Sequence, residues 1–363
     1  MRHLLLVIGF ELKTNANYLS YILRTYEDKF QEVNDVVILE KSSKDLPFLL
    51  EKYSRDYDFI TIFAYDDYYG TTAKILATLN GDSLVLKDDI LAPIKSLEHN
   101  EQGFLMHLAK CKINLLKSSN LRKIPPLLGF IDIQFEYFCL LDIDEESAKL
   151  LLDTIAKSYE ISIQSSELLK NLVLIKASSL QYGKLDEFLS AAKKLFSDKF
   201  IPGKDPLNFI VSVLKREKLK ISFAESCTGG LCASKLTGID GVSEIFDGSV
   251  VSYSNRIKHE WLGISEGVLE NSGEYSQKCV YFMLKGIFKT AKPDFAIAIS
   301  GLAGTADVAD IKAGTIFAGV MYKDGNFLQE SFHISGDRRF IQEQAVLHTF
   351  SLLLRLKKEI FFS

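Results

Sequence analysis

Ser226 stands at the bend of Ile221-Ser222-Phe223-Ala224-Glu225-Ser226-Cys227-Thr228-Gly229-Gly230, where an apolar, strand-like lead-in gives way to small residues that allow a tight turn. Residues 231–236 read as the first turns of a helix. The Ser226 hydroxyl is therefore placed near a helix N-terminus, whose first backbone N–H groups lack intrahelical partners. Two chemistries suit that placement: a nucleophile for acyl transfer, or a loop that cradles a phosphate. The glycines match neither the Walker spacing nor the dinucleotide fingerprint, and a lone Gly-Gly is also what a plain tight turn uses.

A lysine follows at a second strand end. Val250-Val251-Ser252-Tyr253-Ser254-Asn255-Arg256-Ile257-Lys258 is an apolar strand ending in a polar turn from which a helix leaves, and reactive groups of α/β sheets gather at such ends. No histidine accompanies the serine motif, which makes Lys258 of interest as a partner for Ser226. A lysine deprotonates an alcohol only when burial or a neighbouring cation lowers its pKa, and Arg256 on the same turn is a candidate for that cation. Read by itself, Lys258 is a solvated helix residue, as most lysines are.

A third strand, Ala296-Ile297-Ala298-Ile299, feeds Ser300-Gly301-Leu302-Ala303-Gly304. Ser300 offers a hydroxyl to a substrate carbonyl or phosphate, and Gly301 and Gly304 allow close backbone approach, although such a loop is ordinary in any α/β protein. Arg338-Arg339, after Gly336-Asp337, form a guanidinium pair suited to phosphate, or else Asp337 caps the last helix and both arginines face water. The six histidines are scattered and none is at metal-ligand spacing with another; His259, beside Lys258, reads as a bystander.

The elements that must position these groups follow from patterning. Strand-like runs at 4–8, 35–39 and 59–63 alternate with helical stretches around 16–30 and 46–53. A second series runs through 220–223, 248–253, 295–300, 314–321 and 327–334, then a helix from 338 to about 358. Between them, residues 135–200 read as strands near 138–142 and 172–177 alternating with two helices. The predicted class is α/β, with two α/β domains (1–134 and 207–363) flanking a small α+β domain (135–200). Residues 197–206, carrying Pro202, Gly203 and Pro206, read as the linker.

Composition narrows the function classes. The 363 residues are 47% apolar, enough for more than one core. The 43 basic and 47 acidic side chains are well mixed, so no one-signed patch for nucleic acid or a membrane surface is expected. Cys111, Cys139, Cys227, Cys232 and Cys279 form no CxxC pair, which fits reduced, packed thiols in a cytoplasm and no metal site. The apolar run at 4–8 is too short for a signal segment or a bilayer span.

Taken in order, Ala224-Glu225-Ser226-Cys227-Thr228-Gly229-Gly230, Tyr253-Ser254-Asn255 ahead of Lys258, Ser300-Gly301-Leu302-Ala303-Gly304 and Gly336-Asp337-Arg338 make residues 207–356 resemble the C-terminal domain of the competence/damage-inducible CinA family. That resemblance implies a nicotinamide mononucleotide amidohydrolase, releasing nicotinate mononucleotide and ammonia without metal or cofactor. It places the nucleophile on Ser226, the base on Lys258 and an assisting hydroxyl on Tyr253. It also implies substrate contacts at Cys227, Thr228, Gly229, Gly230, Ser300, Gly301, Gly304 and Arg338, and a homodimer. Backbone N–H groups at the helix start after Ser226 would hold the oxyanion. The chain departs from the family after Gly304: Thr305 to Asp310 replaces a glycine-rich stretch and brings in Asp307 and Asp310, and acid beside a phosphate site weakens anion binding.

The N-terminal part resembles the family's molybdopterin-binding-like half, which hydrolyses ADP-ribose in some members, through Gly9-Phe10-Glu11-Leu12 and Thr14-Asn15-Ala16-Asn17-Tyr18-Leu19. Where the family has a glycine-rich phosphate loop, this chain reads Ala64-Tyr65-Asp66-Asp67-Tyr68-Tyr69-Gly70-Thr71-Thr72, and Leu141-Asp142-Ile143-Asp144-Glu145 replaces a Pro-Gly stretch. The expectation is a fold kept without its pyrophosphatase site, with Asp66 and Asp67 as solvated loop carboxylates. The competing readings are a non-catalytic regulator or scaffold and, through the N-terminal half, a nucleotide pyrophosphatase.

Overall fold

A computed structural model describes residues 2–31, 33–119, 122–130, 135–179, 183–304, 306–308 and 310–363. The chain divides into two compact units, Met1–Ile133 and Gln134–Ser363; the expected boundary at Gln134 lies outside the described residues.

In the first unit, β1 (His3–Ile8), β2 (Asp35–Leu39) and β3 (Phe59–Tyr65) form a parallel set. A separate hairpin follows, β4 (Leu84–Lys87) with β5 (Ile90–Pro93). The strands β6 (Glu98–Asn100), β7 (Gly103–Leu108) and β8 (Cys111–Ser118) complete a sheet of order β2-β1-β3-β8-β7-β6. Leu4, Leu6 and Ile8 pack to one side of β1, and Leu5 and Val7 to the other. Burial on both faces is why β1 reads as an unbroken apolar run. The loop expected after the third strand is absent: β3 continues to Tyr65 and a helix starts at Asp66 (Asp66–Leu79). Asp66 and Asp67 occupy its first turn, and Asp66 lies 3.7 Å from Lys117 Nζ. Carboxylates there satisfy the positive end of the helix from within the chain.

The second unit holds two sheets. The first consists of β9 (Phe135–Leu141), β10 (Ile161–Leu169), β11 (Leu172–Ser179) and β12 (Phe200–Pro202), antiparallel in the order β10-β11-β9-β12. Its strands serve two cores by alternation. Phe138 and Leu140 pack with Phe188 and Leu152 beneath the helices Glu145–Tyr159 and Lys184–Leu195, whereas Cys139 and Leu141 point into the core of the C-terminal part with Leu207 and Leu353. Arg355 Nε donates to Asp142 at 2.7 Å, and Lys358 Nζ lies 2.8 Å from the same carboxylate. The middle segment thus has its own sheet yet lies within one compact unit with residues 207–363.

The expected linker is structured instead. Residues 200–202 pair with β9 as an edge strand, Asp205 caps the helix Pro206–Glu217, and Pro206 opens it. Proline's missing N–H costs nothing at a sheet edge or in a first helical turn, so these prolines mark element ends rather than an unstructured connection.

The second sheet comprises β13 (Ile221–Glu225), β14 (Phe246–Val251), β15 (Phe295–Gly301), β16 (Thr315–Tyr322) and β17 (Phe327–His333), in the order β14-β13-β15-β16-β17. β13 is parallel to both β14 and β15, while β16 and β17 are antiparallel. The fold class is α/β, as read from the alternation. Phe223, Phe295 and Ile297 pack against the helices Pro206–Glu217, Leu231–Thr237 and Arg338–Leu356. On the opposite face Ala224, Ala296 and Ala298 are small, and the helix Gln277–Ala291 lies against them. That helix also meets the helix Asn255–Leu262 at Gly286, where an added Cβ would come within 2.5 Å of Leu262 O and 2.7 Å of Leu262 Cβ. Because the first obstacle is backbone, Gly286→Ala is expected to lower stability by about 1–3 kcal/mol, read as a reduced urea midpoint at unchanged m-value.

Candidate active site

Three parallel strands deliver their carboxyl ends to one place. Ser226 follows β13, Ser252 and Tyr253 follow β14, and Gly301 ends β15. The chain leaves β13 and β14 toward opposite faces of the sheet, and a crevice opens where such connections part. Ser252 is tied to the centre, its N–H donating to Glu225 O at 2.7 Å.

Ser254 caps the helix Asn255–Leu262, and that helix turns Lys258 inward. Lys258 is 0% exposed and Ser226 4%. The amine nitrogen lies 3.1 Å from Ser226 Oγ and donates to the carbonyl oxygens of Ser252 (2.8 Å) and Tyr253 (3.2 Å). Carbonyls only accept. The ammonium form finds an acceptor for each of its three N–H bonds here, and the neutral form keeps two N–H bonds for the carbonyls with its lone pair facing the serine hydroxyl, so the same three neighbours serve both states. Burial pulls the Lys258 pKa below its usual value, against opposing contributions from Cys279, Glu274 and Cys227. Burial also pushes the Cys227 thiol up to about 12 and Cys279 to about 11, so both stay protonated near neutral pH.

Glu225, the last residue of β13, is fully buried and its carboxylate accepts five hydrogen bonds. Oε2 takes them from Thr228 Oγ1 (2.8 Å) and the backbone N–H groups of Gly230 and Cys232 (3.0 Å each). Oε1 takes them from Ala233 N–H (3.0 Å) and Ser249 Oγ (2.9 Å). It folds the turn after Ser226 around itself, and Gly229 and Gly230 supply the left-handed conformations the turn requires (φ 61° and 98°). The oxyanion expectation is thereby corrected. The amides at the helix start are occupied by Glu225, while Gly229 N–H bonds Ser226 O and Leu231 N–H bonds Thr228 O. Of this turn, only the N–H groups of Cys227 and Thr228 lack an acceptor among the described residues.

A cleft of about 350 Å³ opens over Ser226, with Cys227, Tyr253, Glu274, Tyr275, Gly301 and Arg338 in its walls. The expected contact residues are distributed unevenly around it. Tyr253 is 62% exposed at the rim, its hydroxyl accepting from Arg338 Nη2 at 3.1 Å, so its backbone rather than its ring touches Lys258. Thr228, Gly229 and Gly230 line an adjoining recess of about 400 Å³ with Arg338 and Arg339. Ser300 is buried and donates to Glu274 O at 2.6 Å; it holds a loop and does not line the cleft. Gly301 is close-packed, since a Cβ there would fall 2.6 Å from Thr315 O, but Gly304 has room around it and lines neither space. Arg256 pairs with Glu260 at 2.6 Å on the solvent side and gives Lys258 no cationic neighbour. His259 donates through Nδ1 to Ile264 O and takes no part. Asp337 caps the last helix; Arg339 pairs with Glu343, while Arg338 turns into the cleft.

In the altered loop, Thr305 and Ala309 lie outside the described residues. Asp307 accepts from Ala313 N–H at 2.8 Å, and neither Asp307 nor Asp310 lines the cleft or recess. Asp307 is turned onto its own loop. Residues that sequence reasoning did not assign are Glu225, Gln342, whose Nε2 donates to Cys227 O at 2.7 Å, and the pair Glu274 and Tyr275. A carboxylate ending an otherwise apolar strand was the available signal for Glu225; the others are brought in by tertiary structure.

Residues 204–357 match the CinA C-terminal domain. The nicotinamide-nucleotide amidohydrolase PncC of Enterobacter agglomerans is 40% identical over 147 residues, covering 40% of this chain and 90% of that protein. The chain belongs to the CinA family. A CinA-like protein of Thermosipho melanesiensis is 35% identical over 176 residues, covering 48% of this chain and 44% of the relative. The match thus spans less than half the length of that curated CinA-like relative. A competence or damage-inducible protein from Enterobacter asburiae, known as a crystal structure, is 30% identical over 41% of this chain and 94% of that one, at a TM-score of 0.40. Among the described residues of this CinA-family chain, no group of three or more His, Cys, Asp or Glu is placed to hold a metal ion, and no helix is long and apolar enough to cross a membrane.

Glu225→Gln replaces one acceptor oxygen with a donor facing other donors. Unfolding in urea is expected to show a loss of about 1–3 kcal/mol, with faster amide exchange at Cys232 and Ala233 than in the rest of that helix.

Proposed function

We propose that this CinA-family chain hydrolyses the carboxamide of nicotinamide mononucleotide by a serine/lysine mechanism. The observation that carries the reading is the buried Lys258 amine, 3.1 Å from Ser226 Oγ and donating to the carbonyl oxygens of Ser252 and Tyr253. The substrate assignment draws on the name of the Enterobacter agglomerans relative and on a cleft large enough for a small ligand with Arg338 in its wall.

Neutral Lys258 takes the Ser226 proton, and the alkoxide attacks the amide carbon. The ammonium so formed keeps its bonds to Ser252 O and Tyr253 O, so proton uptake requires no rearrangement. The free N–H groups of Cys227 and Thr228 serve the tetrahedral oxygen, being the amides of the turn not already bonded. Collapse expels ammonia with the proton from Lys258, and the amine then activates a water that releases the acyl group from Ser226.

Ammonia release from nicotinamide mononucleotide is expected for the wild type and reduced at least about 10³-fold in kcat by Ser226→Ala or by Lys258→Arg, whose guanidinium stays protonated. The rate should rise with pH, since the active form is the amine without its proton, and the midpoint should fall below that of an ordinary lysine because burial disfavours the ammonium. Ammonia release that persists in Ser226→Ala would remove the mechanism.

A further inference from the structure

The cleft over Ser226 contains two opposite charges that do not neutralise each other. Arg338 bonds the Tyr253 hydroxyl and Glu274 Oε2 accepts from Asn255 Nδ2 at 3.3 Å; both partners are neutral, and neither residue forms an ion pair among the described residues. Glu274 is also held in place by its backbone. Its carbonyl accepts from Ser300 Oγ at 2.6 Å, Gly273 before it is left-handed (φ 72°), and Ser276 Oγ donates to Gly273 O at 2.9 Å. A carboxylate fixed from both ends without a cation is arranged for a positive group that arrives from outside.

Resting on the amidase reading above, we infer that Glu274 is a specificity-determining residue: with the rings of Tyr253 and Tyr275 it forms a subsite for the positively charged ring of an N-substituted pyridinium amide. Tyr275 lies in the same wall as Glu274, Tyr253 is at the rim, and the faces of both rings suit a delocalised cation. A carboxylate that acted on Lys258 alone would work against the mechanism, since it favours the ammonium over the free base. Its place is explained by a cationic ligand that offsets it when the cleft is filled. Arg338 in the same cleft leaves room for an anionic group elsewhere on the ligand, so the walls complement a molecule with separated charges.

The test compares nicotinamide mononucleotide with its dihydro form, which keeps the phosphate and amide but has an uncharged ring. Binding is measured calorimetrically on Ser226→Ala, with and without Glu274→Gln, which preserves size and the Asn255 bond. The oxidised ligand is expected to bind about tenfold more weakly to the double variant, that is about 1.4 kcal/mol, with the dihydro ligand unchanged and Glu274→Asp intermediate. Equal loss for both ligands, or no loss for either, overturns the inference even if wild type hydrolyses the mononucleotide. If wild type discriminates the two ligands through Glu274 but releases no ammonia, the amidase reading falls and the cation subsite stands.

Discussion

An amine withdrawn from water is the constraint on which this site depends. A lysine at the end of four methylenes ordinarily reaches solvent, and a short helix directed at a strand end prevents it from doing so. With Ser252 O and Tyr253 O as its acceptors, the Lys258 nitrogen keeps hydrogen bonds without a counter-ion, which removes the main electrostatic reason to stay protonated. The neighbouring helix adds to this. Close approach at Gly286 fixes the position of the helix carrying Lys258, so the amine has little freedom to swing outward.

The two buried titratable groups of the centre are treated in opposite ways. Glu225 is surrounded by five donors and acts as structural glue: a charged hydrogen-bond acceptor that orders a turn and satisfies a helix start. Lys258 has no such compensation by charge. The resulting division of labour gives the anion to the turn and helix that follow the nucleophile and the base to the helix that follows β14, with Ser226 in the cleft wall and Lys258 buried beside it. The turn between them leaves two amides unengaged.

Much of this was legible in the chain. Strands buried on both faces, such as β1, β13 and β15, read as apolar runs because both sides need apolar cover, and the Ser226 turn lies at the end of β13, whereas Lys258 follows the edge strand β14. The hairpin of β7 and β8 was not legible: its two-residue turn is Ala109-Lys110, with Ala109 at φ 54°, and lacks the Asn-Gly chemistry that announces such a turn. Pro202 and Pro206 misled in the other direction, since local sequence does not distinguish a breaker from an element end. A hydroxyl after a strand, such as that of Ser300, is available to any acceptor, and only the position of Glu274 O shows where it is used. Glu274 and Tyr275 belong to no local pattern, and the fold brings them to the cleft from between two helices.

The alternation in β9 has a consequence for how such a chain may be divided. Cys139 and Leu141 sit in the same core as Leu207 and Leu353, although the matched family stretch begins at residue 204. Inheritance and self-sufficiency therefore have different borders here. A fragment starting where the kinship starts would turn toward water the apolar flank that Cys139 and Leu141 cover here.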